Sequence, residues 1–84
     1  MTLSEWQSGC PTLKGWYLLK AAKGSPFVFG MCRFGKYMWG YWDGRDWFKC
    51  DSAFRTTKII PNKNNISYRV SLIKGDQWQG ITNG

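Results

Sequence analysis

The chain has no histidine, only three cysteines and only five carboxylates among 84 residues. Each shortage removes a class of chemistry. Nucleophile–base arrangements lose their usual partner without histidine, since the imidazole is the side chain that takes a proton from Ser or Cys. Cys10, Cys32 and Cys50 are widely spaced, whereas a zinc site wants four ligands at short paired spacings, so no metal centre is expected. A secreted disulfide framework favours an even count. The three thiols therefore read as reduced and partly buried, with Cys32–Cys50 the one bridge left open. Asp43, Asp46 and Asp51 lie close in sequence, yet Asp at a turn ordinarily caps or solvates that turn and is seldom half of an acid–base pair. The glycines at 24, 30, 35, 40 and 44 are spread over strand and turn patterns, so no phosphate-cradling loop opens a helix. A non-enzymatic protein without cofactor or metal is expected.

Long apolar runs are also missing, and Met1 to Trp6 has no basic region leading into one. Neither a membrane span nor a signal or transit peptide is expected. The reading is of a soluble, cytoplasmic protein, in which the Asn65-Ile66-Ser67 match to a glycosylation sequon is accidental.

Aromatic residues, by contrast, are plentiful: six Trp, four Tyr and five Phe make up 18% of the chain. A chain this short has room for one core. Each buried ring removes about 150 to 250 Å² from water, which lets a small sheet hold together without metals or disulfides. Twelve Lys and Arg give a net charge of +7. That charge attracts nucleic acid, acidic protein surfaces or anionic lipid, and it closes the strategy of imitating DNA with a carboxylate-studded surface.

The period of the sequence is that of strands. Ile66 to Leu72 alternates apolar and polar residues strictly and predicts a half-buried strand. Gly15 to Lys20 and Phe27 to Phe34 are short apolar runs separated by Lys23-Gly24-Ser25-Pro26, the pattern of a hairpin. Tyr37 to Trp42, the Asp43-Gly44 turn and Arg45 to Cys50 form a second hairpin signal. Gly30 and Gly40 sit inside strand patterns and suggest bulges or sharp coiling. Thr56 to Ile60 is a further β-branched strand before Pro61, and Asn62 to Asn65 a polar loop. Only Leu18 to Lys23 has helix-forming composition, and Gly24 stops it within two turns. The predicted fold is mainly β: a small curled antiparallel sheet or partly open barrel of five to six short strands in a meander, with at most one short helix. It forms one domain over 1–84, and 74–84, which has no period, is expected to be a loosely ordered tail.

An early Trp6, Pro11 followed by Gly15, the apolar strand Trp16-Tyr17-Leu18-Leu19, a run of short aromatic strands and an Asp-Gly turn before a Trp occur here in that order. Over roughly residues 6–61 this order resembles a short tryptophan-rich domain of unknown function common in phages and prophages. That family usually closes with a His-Trp-Met-Pro-like segment, where this chain has Thr57-Lys58-Ile59-Ile60-Pro61 and then a further strand. The resemblance implies a phage accessory protein working in the host cytoplasm, and it transfers no catalytic residues.

Alternation places Tyr37, Trp39 and Tyr41 on one face of their strand and Met38, Gly40 and Trp42 on the other. Phe27, Phe29 and Met31 likewise oppose Val28, Cys32 and Phe34. A sheet apolar on both faces must be covered twice or present one face to a partner; exposed rings are expected in so short a chain, the alternative being that the core and the two chain ends absorb them all. Two uses fit. In the first, Trp39, Tyr41, Trp42, Arg45 and Trp47 around the Asp43-Gly44 turn dock on a host protein or nucleoprotein complex and obstruct it, in the manner of an anti-CRISPR or anti-restriction inhibitor. In the second, bases stack on Trp39, Tyr41 or Phe29 while Arg33, Lys36, Arg45 and Lys49 neutralise phosphates. The second reading lacks clustered charge and any RNP, KH or zinc-knuckle signature. A membrane role ranks third for want of an amphipathic basic helix. The chain is a monomer, or a homodimer that buries its second aromatic face against a copy of itself.

Overall fold

A computed structural model describes residues 2–22, 37–51 and 59–82 of the protein. Seven strands fall within them: β1 (Thr2–Leu3), β2 (Gly15–Lys20), β3 (Tyr37–Trp42), β4 (Trp47–Cys50), β5 (Ile66–Val70), β6 (Gln77–Gln79) and β7 (Ile81–Thr82). A single 3-10 turn, Lys63–Asn65, precedes β5 and is capped by the Asn62 side chain. The fold is mainly β, as the alternating and short apolar segments lead one to expect. Leu18 to Lys20 belongs to β2, so the short helix weighed for Leu18 to Lys23 does not form over those residues.

Five strands make one antiparallel sheet in the order β5-β4-β3-β2-β6, and β1 pairs with β7 in a separate two-stranded ribbon. The run β2 to β5 is a meander, while β6 returns to the far side of β2. Its residues Gln77, Trp78 and Gln79 pair with Lys20, Leu19 and Leu18. The stretch 74–84, expected to be a loose tail, thus supplies β6 and β7. What a period search misses there is pairing across the chain: Gln7 and Trp78 exchange both backbone hydrogen bonds at 2.8 Å, tying the N-terminal segment along β6.

Because β5 and β6 stand at opposite edges, residues 71–76 must cross one face of the sheet. A flat sheet of this order would be roughly 19 Å between its outer strands, within the reach of a short extended segment. The edges do not join, so the sheet curls without closing into a barrel.

Both faces of this sheet carry core. On one face Tyr17, Leu19, Met38, Trp42, Trp47 and Trp78 cluster, and Leu72 of the crossing segment packs on them. On the other, Trp16, Leu18, Trp39 and Cys50 are covered by Leu3 and Trp6 of the N-terminal segment and by Ile66. The division of β3 into two faces is as its alternation predicts. Of the two outcomes the strand pattern left open, the described sheet shows the covered one: Leu3 and Trp6 of the N-terminal segment lie over one face and Leu72 of the crossing segment over the other.

Gly40 is not at a bulge. It pairs in regular register with Tyr17 on one side and Lys49 on the other. A Cβ there would run into Leu19 Cδ1 and lie 3.5 Å from Trp47 Cε3, so glycine is needed to let those side chains meet over the strand. The register shift falls instead between β4 and β5, where Phe48 faces Arg69 and Cys50 faces Ile66. Gly30, the Phe27 to Phe34 strand and residues 56–58 of the Thr56 to Ile60 strand lie outside the described residues. Ile59 and Ile60 lie in no strand.

A candidate docking cleft

The β3–β4 connection is a four-residue loop closed by the Trp42–Trp47 pair, so β4 starts at Trp47 and not at Arg45. The Asp43 carboxylate holds the loop, accepting the backbone N–H groups of Asp46 at 2.6 Å and Arg45 at 2.8 Å. Gly44 supplies the left-handed step with φ +99°. These bonds, that from Asp46 first and that from Arg45 next, hold the Asp43 carboxyl below the usual carboxylate range. The loop projects Arg45 into solvent.

Opposite the loop stands the crossing segment. Asp76 fixes it: one carboxylate oxygen accepts the N–H of Ala22 at 2.6 Å, and the other accepts the N–H of Ile73 at 2.9 Å. Asp76 is 4% exposed, a burial that only a well-satisfied carboxylate tolerates. The third wall is Ser8-Gly9-Cys10, held where the Trp78 indole donates to the Gly9 carbonyl at 2.9 Å. Between these walls lies an open cleft of about 470 Å³. Trp42, Trp47, Val70 and Leu72 line it, with Arg45, Asp46, Ile73 and Lys74 around them.

The structure therefore brings three of the sequence-predicted residues, Trp42, Arg45 and Trp47, to one cleft and scatters the others. Trp39 is on the opposite face at 1% exposure, and its indole N–H is buried without a hydrogen-bond partner. Tyr41 is half-buried on that same face, edge-on to Trp16 with ring centroids 5.3 Å apart. Lys49, expected at a phosphate, is 6% exposed. Its Nζ donates to the Cys50 carbonyl at 3.3 Å and lies 5.8 Å from the centre of the Tyr68 ring. A lysine this buried, its ammonium held at the Cys50 carbonyl beside Tyr68, is poorly placed to serve a polyanion at the surface. Arg33, Lys36 and Phe29 lie outside the described residues.

Sequence reasoning missed Asp76, Ile73, Lys74 and the Gly9-Cys10 wall. A signal for the first was present: Gly75-Asp76 before Gln77-Trp78 has the same character, a turn leading to a tryptophan strand, as Asp43-Gly44 before Trp47. Of the thiols, Cys10 is exposed at the cleft and Cys50 is buried, its thiol pushed up to about 11 by burial. Cys32, and with it the Cys32–Cys50 pairing, lies outside the described residues.

No helix among the described residues is long and apolar enough to cross a membrane. No family model, curated protein or solved structure matches the chain.

Proposed function

We propose that this chain is a small non-enzymatic docking protein that binds another protein and acts by obstruction. The observation that carries this reading is the convergence of Trp42, Arg45 and Trp47 on one open cleft with a tryptophan floor and cationic residues at its margin. Trp and Arg in such settings contribute most of the energy of many protein interfaces. The resemblance to a phage tryptophan-rich domain supports a host protein or defence complex as the target, in the host cytoplasm.

The stacking alternative has less support. Base stacking needs open ring faces, whereas Trp39 is 1% exposed and Tyr41 is packed against Trp16. The net charge of +7 still gives non-specific attraction to nucleic acid.

The test is titration of labelled single- and double-stranded oligonucleotides with the full chain at low and near-physiological salt, alongside capture from host lysate by wild type and Arg45→Glu. Oligonucleotide binding that vanishes with salt, together with protein capture that the variant loses, is the expected result. Micromolar oligonucleotide binding that survives the higher salt refutes the reading in favour of a nucleic-acid platform.

A further inference from the structure

We propose that residues 2–10 form a strap that lifts from the rest of the fold as one unit, hinged at Gly9, and uncovers the face of the sheet that holds Trp16, Leu18 and Trp39. The motion belongs to the chain by itself, whether or not the cleft docks a protein. Three observations point to it.

The first is the seam that holds the strap. Among the described residues, the hydrogen bonds that leave residues 2–10 all go to residues 78–82. The Ser4 N–H donates to the Gly80 carbonyl at 2.8 Å, and Gln7 and Trp78 exchange both backbone bonds. Ser4 Oγ accepts the Gly80 N–H and the Ser4 carbonyl accepts the Gln79 side chain, both at 2.9 Å. Thr2 and Leu3 pair with Thr82 and Ile81, and the Trp78 indole reaches the Gly9 carbonyl. The strap is therefore released by parting one line of bonds, with the pairing of β2, β3, β4 and β5 left intact.

The second is how little the strap buries and where it can turn. Leu3, Ser4 and Trp6 are half-buried, while Thr2, Glu5 and the stretch from Gln7 to Cys10 are exposed. Leu3 and Trp6 alone pack on the core; the Trp6 ring stacks on Tyr37 with centroids 5.6 Å apart and lies 5.6 Å from the Lys20 ammonium. Segments with few buried apolar contacts and solvent-exposed hydrogen bonds open ahead of the core. Gly9 has φ +83°, a conformation that glycine reaches at least cost. Beyond it the chain is fixed, since Pro11 is buried and the Leu13 carbonyl accepts the Tyr17 hydroxyl at 2.6 Å.

The third is a cost carried by the closed state. Trp39 is 1% exposed and its indole N–H has no hydrogen-bond partner, on the same face that Leu3 and Trp6 cover. A buried donor without an acceptor penalises the arrangement that buries it. Water reaching this indole when the strap lifts offsets part of the burial that Leu3 and Trp6 give up. The same motion withdraws Ser8 and Gly9 from the wall of the cleft.

The experiment is native-state hydrogen exchange of the full chain, read by NMR at backbone amides and indole N–H groups over a series of low urea concentrations. Strand β6 carries its own internal comparison. The Trp78 N–H is bonded to Gln7 of the strap, so by the alternation of antiparallel pairing the N–H groups of Gln77 and Gln79 face β2. The expected result is one shared protection factor for the Ser4, Gln7 and Trp78 amides and the Trp39 indole, roughly tenfold or more below those of Gln77, Gln79 and the β2–β3 amides, with a weaker dependence on urea. Trp6→Ala should lower the shared factor by about a further tenfold while the β2–β3 amides stay protected, and Leu13→Ala, at a side chain 72% exposed outside the strap, should leave it unchanged. Strap amides as protected as those of β2–β3 mean that the ends open only with the whole fold, and overturn the proposal. So do unequal protection among Ser4, Gln7 and Trp78, which is fraying in place of a unit, and strap exchange indifferent to Trp6→Ala. A Trp39 indole that does not follow the strap amides overturns it as well, because the face then stays covered.

Discussion

Replacing Asp76 by alanine removes a carboxylate that ties the crossing segment to the end of β2. Two backbone N–H groups lose their acceptor, that of Ala22 at 2.6 Å and that of Ile73 at 2.9 Å. Hydrogen bonds to a charged acceptor are each worth about 1.5 to 3 kcal/mol, and the N–H groups left behind in a part-buried site must find water. A loss of about 3 kcal/mol is expected, against a total stability of roughly 4 to 13 kcal/mol for a chain of this length. Such a change lowers the melting temperature by roughly 15 °C. Thermal unfolding followed by tryptophan fluorescence reads this directly, and amide exchange should show Ala22 and Ile73 losing protection. Asp76→Asn keeps one acceptor oxygen but turns an NH₂ group toward the other N–H, so it should fall between wild type and Asp76→Ala. A shift of less than about 4 °C for Asp76→Ala, near 1 kcal/mol or below, would refute the view that this carboxylate holds the wall of the cleft.

Other substitutions probe the packing and the thiols. Gly40→Ala drives a Cβ into Leu19 and toward Trp47 and should cost about 1 to 3 kcal/mol in thermal melts; an unchanged melting temperature would show that the strands yield freely there. Iodoacetamide at pH 8 followed by peptide mapping should label exposed Cys10 in the native protein and leave buried Cys50 unmodified until unfolding. Burial raises the Cys50 thiol from 9.0 to about 11, so the unfolded chain gives up this proton first. Its contribution is complete below pH 9 and is lost as pH rises toward 11. Melts across that range should therefore fall more steeply for wild type than for Cys50→Ala, with Tyr17, also raised by burial, accounting for the fall that both share.

Much of the sheet was legible because its signals are local. The strands at Gly15 to Lys20 and Tyr37 to Trp42 have the bounds their apolar runs predict, and the division of β3 into two core faces follows from alternation alone. The end of β5 at Val70, two residues before the alternation stops, was not legible: Ser71 begins the crossing segment, whose path is set by a carboxylate bond to Ala22, 54 residues away in sequence. The tail failed for the same reason, since Trp78 is placed by pairing with Leu19 and Gln7, both distant. For the candidate site, composition singled out the Asp43-Gly44 turn and the tryptophans beside it. It could not tell that Trp39 and Lys49 are buried, because that depends on which segment lies over which face. The expected protein interface thus narrows from a broad aromatic sheet to a bounded cleft.

Photo-crosslinking tests the docking claim most directly. A benzoyl-phenylalanine placed at Ile73, 40% exposed at the cleft margin, is compared with one at Tyr68, 63% exposed and outside the cleft, in host lysate under near-physiological salt. A protein adduct that forms from position 73, is absent from position 68, and disappears when Arg45→Glu is added is the expected result. Adducts formed equally from both positions, or adducts to nucleic acid from either, would contradict it.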